Sequence, residues 1–177
     1  MGLARYLIIG LALIEPSYAQ SVGEKTGVNT VLGITPKTAD FVKEIAENNL
    51  FVIESSKLAV AKTDRKVKEF AQELLADYTR STTELKDLAD RANVPFPTKM
   101  NLSQQRLFQN EDARTGDDFT QLFLDDQVTA HKSGLSLVKR YVNKGENADL
   151  RAWANRRQPF LQGHLDRAQN LDKSPND

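Results

Sequence analysis

The sequence predicts an all-α protein, an antiparallel four-helix bundle with a short extra helix in its second connection. Three observations carry this. Apolar residues recur every three or four positions through four long segments, the spacing of a helical stripe. Asn93 with Pro95-Phe96-Pro97, and later Gly145, fall between segments, where a helix must stop. No stretch alternates apolar and polar residues over a useful length, so strands are not expected.

The first long helix opens at Thr35, a side-chain cap. Pro36 follows at the first helical position, where its missing N–H costs nothing. Its stripe is Phe41, Ile45, Asn48, Val52 and Ala59, and it ends near Lys62. Asp64 caps the second helix, whose stripe is Val67, Phe70, Ala71, Leu74, Tyr78, Ser81, Leu85, Leu88 and Ala92. A long connection from Asn93 to about Arg114 holds a short helix around Ser103 to Asp112.

The third long helix starts near Thr115, with Asp117 and Asp118 against the positive end of its dipole. Phe119, Phe123, Asp126, Ala130, Ser133, Leu137 and Tyr141 form its stripe, and Gly145 stops it. The fourth runs from about Glu146 to Leu171, with Leu150, Trp153, Ala154, Arg157, Phe160, Leu161, His164, Ala168 and Leu171 on one face. Pro159 removes one backbone donor there, freeing the Asn155 carbonyl and bending the helix. Short joins make the first pair and the last pair antiparallel, and four amphipathic helices bury their stripes together as a bundle. The longer middle connection permits either a neighbouring or a crossing link.

Around the bundle, residues 36–172, the chain reads as accessory. Arg5, the nine-residue apolar run Tyr6–Ile14 and Ser17-Tyr18-Ala19 form an export signal over residues 1–19, cleaved after Ala19. That run is too short to span a bilayer, so the mature chain has no transmembrane helix and is periplasmic or secreted. Residues 20–35 read as a flexible linker and 173–177 as a disordered tail. There is no cysteine, which excludes disulfides, thiolate metal sites and a cysteine nucleophile. With 24 basic and 24 acidic residues and no basic stripe, nucleic acid is not an expected partner.

A polar layer crosses the stripes. Asn48, Tyr78, Asp126 and His164 take core positions, with His131 nearby. Polar groups on inner faces cost free energy unless paired. If the first and last helix joins share one end of an up-down-up-down bundle, these five residues lie 14 to 19 residues from it. That is roughly 21–29 Å at the helical rise. Asp126 and His164 fall at equal depth on neighbouring helices and are expected to pair directly, or through one water or ion. Arg157 lies on the same stripe, its guanidinium expected towards Asp126 or Glu54.

Two readings of the layer stay open. It is a satisfied structural network that sets helix register, or it holds a small ligand or one divalent ion through Asp126, His164 and a first-helix oxygen of Glu47 or Asn48. A di-iron centre would need Glu-x-x-His on two helices, which the chain lacks. Asp126 and His131 are five apart, about 140° around a helix, so both cannot face one site. Glu47 and Glu54, seven apart, read as a solvated edge. Phosphate loops, nucleophile elbows and zinc helices are missing, so the chain leans away from catalysis.

Several segments in order carry a family resemblance. They are Ala39-Asp40-Phe41-Val42, Glu54 with Leu58-Ala59, Val67-Lys68-Glu69-Phe70-Ala71, Leu75-Ala76-Asp77, Asp126-Gln127-Val128 with Ala130-His131, and Pro159 with Leu161 and His164-Leu165. From about Thr38 to Leu171 the chain resembles the bacterial domain-of-unknown-function family 4142. The resemblance implies an exported, ferritin-like bundle. Where that family usually has histidine after the second-helix aspartate, this chain has Asp77-Tyr78, which puts an inherited metal site in doubt. The expected role is a non-enzymatic envelope or stress-related module with an unidentified protein or small-ligand partner. The alternative is a metal- or small-ligand-binding bundle that uses the polar layer.

Overall fold

The computed structural model describes residues 37–173. The signal ending at Ala19, the linker, the Thr35 cap with Pro36, and residues 174–177 of the tail lie outside the described residues. Lys173, assigned to that tail, is instead the last residue of a helix.

Five helices form in order: α1 (Thr38–Lys62), α2 (Arg65–Arg91), α3 (Leu102–Asp112), α4 (Gly116–Lys144) and α5 (Ala148–Lys173). No strand occurs among the described residues. The apolar stripes build one core from α1, α2, α4 and α5, with Phe41, Phe51, Phe70, Phe119, Phe123, Tyr141 and Trp153 its largest fully buried rings and Tyr78 among them. Two stripe positions are corrected. Ser133 is exposed, and Gly134 beside it is buried. Phe160 stays 45% exposed because Leu161 takes the inward position.

The neighbours around the bundle are α1–α2, α2–α5, α5–α4 and α4–α1. Directions follow from side-chain contacts. Thr38, at the start of α1, hydrogen-bonds Tyr141, near the end of α4, at 2.9 Å. At the other end of α1, Lys62 donates to the Asp112 and Arg114 carbonyls and lies over the Phe119 ring of α4. Thus α1 and α4 are antiparallel, and the α1–α2 and α4–α5 joins sit at opposite ends. This corrects the shared end assumed in the depth count. The middle connection is a crossover along α1. The eleven residues of α3 rise ~16 Å and the extended residues 94–101 reach up to ~26 Å, which together match the ~40 Å length of α2.

Local chemistry explains the ends. Asn93 adopts φ 54°, and Val94 N–H bonds the Ala89 carbonyl at 2.9 Å while Asn93 N–H bonds Asp90 at 3.1 Å. This is a Schellman closure with asparagine in the left-handed position. Asn101 caps α3 by accepting from Gln104 N–H at 3.0 Å, with the reciprocal Gln104 bond present. Gly145 ends α4 for a different reason from that expected. Its φ is −66°, and a Cβ would sit 2.6 Å from the Tyr141 ring and carbonyl, so close approach requires the glycine. Helix α5 runs through Pro159. Asn155 and Pro159 are both exposed, so the freed carbonyl lies on the solvent side. None of the described helices is long and apolar enough to cross a membrane.

Candidate functional site

The stripes of α2, α4 and α5 bring three polar rings together inside the bundle. Tyr78, His131 and His164 have ring centroids 5.6 Å (Tyr78–His131), 6.1 Å (Tyr78–His164) and 5.6 Å (His131–His164) apart. Tyr78 and His131 are fully buried and His164 nearly so. Phe70 closes the His164 side with an edge contact at 6.5 Å.

Each imidazole is held by one nitrogen. His131 Nδ1 lies 2.7 Å from the Gln127 carbonyl, and a carbonyl only accepts, so Nδ1 carries the proton. His164 Nε2 lies 3.2 Å from the Asp77 carboxylate and 3.8 Å from that of Glu73, and donates to Asp77. The other nitrogens, His131 Nε2 and His164 Nδ1, are buried without a hydrogen-bond partner, as is the Tyr78 hydroxyl. Burial pushes the His131 pKa down to about 4, against the pull of the Gln127 bond. It also lowers His164, with Asp77 opposing and Arg157 assisting. Burial raises Tyr78, so the phenol keeps its proton. At neutral pH the site presents two free-base imidazole nitrogens and a phenol.

Arg157 enters from α5, 7% exposed, with its guanidinium 5.8 Å from the Tyr78 ring and 5.2 Å from the Phe160 ring. Desolvation lowers its pKa, while Tyr78, Asp77 and Glu84 hold the charge. It therefore faces α2, not Asp126 or Glu54 as expected. Asn48 of α1 lies against Gly134 of α4: a Cβ there would stand 3.3 Å from its amide nitrogen.

The expected Asp126–His164 pair does not form. The two helices are adjacent, but the side chains turn to different neighbours. His164 faces α2, and Asp126 faces the crossover, where it meets Glu111 of α3. The equal depth expected of them does not hold either, because His164 stands level with His131, five residues along α4 from Asp126. Glu47 is buried, not solvated, and takes Lys43 at 2.7 Å and the Asn101 amide at 3.2 Å, fastening α3 to α1. Glu54 pairs with Lys57 at 2.7 Å on the outer side. Asp126, His164 and Glu47 therefore do not converge. Among the described residues, no group of three or more His, Cys, Asp or Glu is placed to hold one ion.

Four contributors were missed. Asp77 and Glu73, four apart on α2, were legible as a helical acid pair flanking the Tyr78 stripe. Gln127, one residue past Asp126, acts through its carbonyl, which sequence does not advertise. Glu111 lies in the short crossover helix, whose packing face no stripe revealed.

The profile of DUF4142, a domain of unknown function, matches residues 23–171. The chain belongs to that family. This DUF4142 bundle is also similar in structure to CopM, solved in its Cu(II)-bound form, with TM-score 0.67 and 12% sequence identity over 79% of this chain and 98% of that one. At that identity the likeness establishes a shared helical-bundle fold. No curated protein matches the DUF4142 chain.

Proposed function

We propose that this protein is an exported helical bundle that binds copper(I) between His131 and His164. The observation that carries the reading is the matched state of the two imidazoles. Each is oriented by an oxygen acceptor on one nitrogen and offers its other nitrogen buried and unpartnered. That is how metal-ligating histidines are ordinarily supported. The lowered pKa of both keeps them neutral, so an ion would not compete with protons near neutral pH. Their 5.6 Å separation lies within what one ion can bridge, since two bonds of ~2.0 Å plus the ring radii span about 6 Å.

Copper(I) is favoured over a divalent ion for two reasons. Two neutral imidazoles and a phenol are too few donors for the four-coordinate sites of Zn²⁺ or Cu²⁺ and for the oxygen shells of Mg²⁺ or Ca²⁺, whereas a d10 monocation accepts low coordination. The Arg157 charge beside Tyr78 also opposes a dication more than a monocation. That CopM carries copper on a similar fold makes copper the first metal to test. Arg5, Tyr6–Ile14 and Ser17-Tyr18-Ala19 support export, the compartment in which such a bundle would meet copper.

The test is anaerobic competition with a chromophoric copper(I) chelator. The expected result is one copper(I) per chain, lost in the His131→Gln and His164→Gln proteins, with helicity retained. Equal binding by the double variant would refute the site. A second reading, an interaction module whose polar layer only sets register, is favoured by Arg157, a cation already seated beside the rings. Failure of the wild type to take copper would select it.

A further inference from the structure

The crossover helix α3 has one buried residue, and that residue is a carboxylic acid. Glu111 is fully buried, whereas Leu102 and Leu107 of the same helix point outwards, 72% and 38% exposed. No N–H donor reaches Glu111 Oε1, Glu111 Oε2 or Asp126 Oδ2. What faces Glu111 is the Asp126 carboxyl of α4 and the Ser55 hydroxyl of α1. Ser55 in turn accepts from Gln127 Nε2 at 3.0 Å. The charged groups around the pair are Lys62 on α1 and Asp125 on α4. Lys62 is already engaged with the Asp112 carbonyl at 2.6 Å and the Asp112 carboxylate at 3.2 Å, so it does not neutralise the pair outright.

Two carboxylates in such contact cannot both ionise without large cost. We propose that Glu111 and Asp126 form a proton-operated latch, in which one shared proton fastens α3 to α1 and α4 and its loss frees the crossover. Burial, reinforced by Asp126, pushes Glu111 up to about 8, with Ser55 opposing. Burial also raises Asp126, while the hydrogen bond from Glu111 lowers it, so the proton resides on Glu111. The sign follows from linkage. Freed α3 exposes Glu111 to water, where it titrates as an ordinary carboxyl near pH ~4.5. The docked state holds the proton up to about pH 8. Docking is therefore strongest in acid, weakens about tenfold per pH unit across that window, and levels off above it.

Hydrogen–deuterium exchange of the full chain from pH 5 to 9, with intrinsic rates divided out, tests this. Protection of the α3 amides, measured against those of α2, should fall about tenfold per pH unit until about pH 8. Glu111→Gln should keep α3 protected and abolish the pH dependence. Asp126→Asn removes the facing charge but leaves Glu111 buried, so the fall should persist and level off at a lower pH than in the wild type. This variant carries the test if the first loses α3 altogether. A wild-type α3 indifferent to pH, the wild-type slope in Glu111→Gln, or an Asp126→Asn profile identical to the wild type overturns the latch. Protection at pH 7 that collapses on adding EDTA also overturns it, because a cation would then be holding the pair.

Discussion

His164 donates its Nε2–H to Asp77 at 3.2 Å across the α2–α5 interface, and this bond decides which imidazole nitrogen faces the interior. The carboxylate is 18% exposed and its neighbour Glu73, which also pairs with Arg167, is 44% exposed. The ring itself is buried. Solvent-side acids thus orient a group they do not share a cavity with.

Replacing Asp77 with Asn should therefore act through His164. An amide holds the ring less firmly and lowers its basicity. We expect copper(I) affinity to fall roughly 10–100-fold with helicity intact, the usual effect of removing an orienting carboxylate. Chelator competition on the variant reads this directly; unchanged affinity would separate Asp77 from the site.

Stability should depend on His131 at acid pH. Its folded pKa is about 4 against an ordinary 6.5, so between these values the unfolded chain binds more protons. Stability then rises with pH through that window and is lost as pH falls, by ~3 kcal/mol in all. The difference in urea midpoint between the wild type and His131→Gln from pH 4 to 7 should show this slope, since the opposing contribution of Glu111 and the parallel one of His164 are common to both proteins.

Gly145→Ala should destabilise the protein. The added methyl would meet the Tyr141 ring and, less forgivingly, the Tyr141 carbonyl at 2.6 Å. Tyr141 also stacks on Phe41 at 3.9 Å and hydrogen-bonds Thr38 and the Asn147 amide, so it has little freedom to yield. A loss of about 1–3 kcal/mol is expected from overpacking, read by thermal unfolding.

Phe160 and Phe123 separate stripe from core. Phe160→Ala should change stability by less than ~0.5 kcal/mol because the ring is already half in water. Phe123→Ala, fully buried between Phe70 and Phe119, should cost about 3–5 kcal/mol. Comparable losses would show that Phe160 packs inwards after all.

The sequence by itself determined the helices, their approximate ends and most of the core, although buried Val42, Phe51, Leu124 and Val138 lie off the expected stripes. Those properties follow from local rules: a 3.6-residue period, Pro95-Phe96-Pro97 and Asn93 as stops, and a balanced, cysteine-free composition. It also placed Tyr78, His164 and Arg157 on inner faces, but His131, which is fully buried, only near them. What only the tertiary structure decided is direction and partner. The crossover puts the two short joins at opposite ends, which no local period encodes. Asp126 and His164 lie on adjacent helices, yet each turns to a different neighbour, one to Glu111 and the other to Asp77. Sequence spacing fixes separations along one helix, because rise per residue is constant, but not the register between helices. It resolves the azimuth only as finely as a stripe is wide, and a wide stripe touches two neighbours.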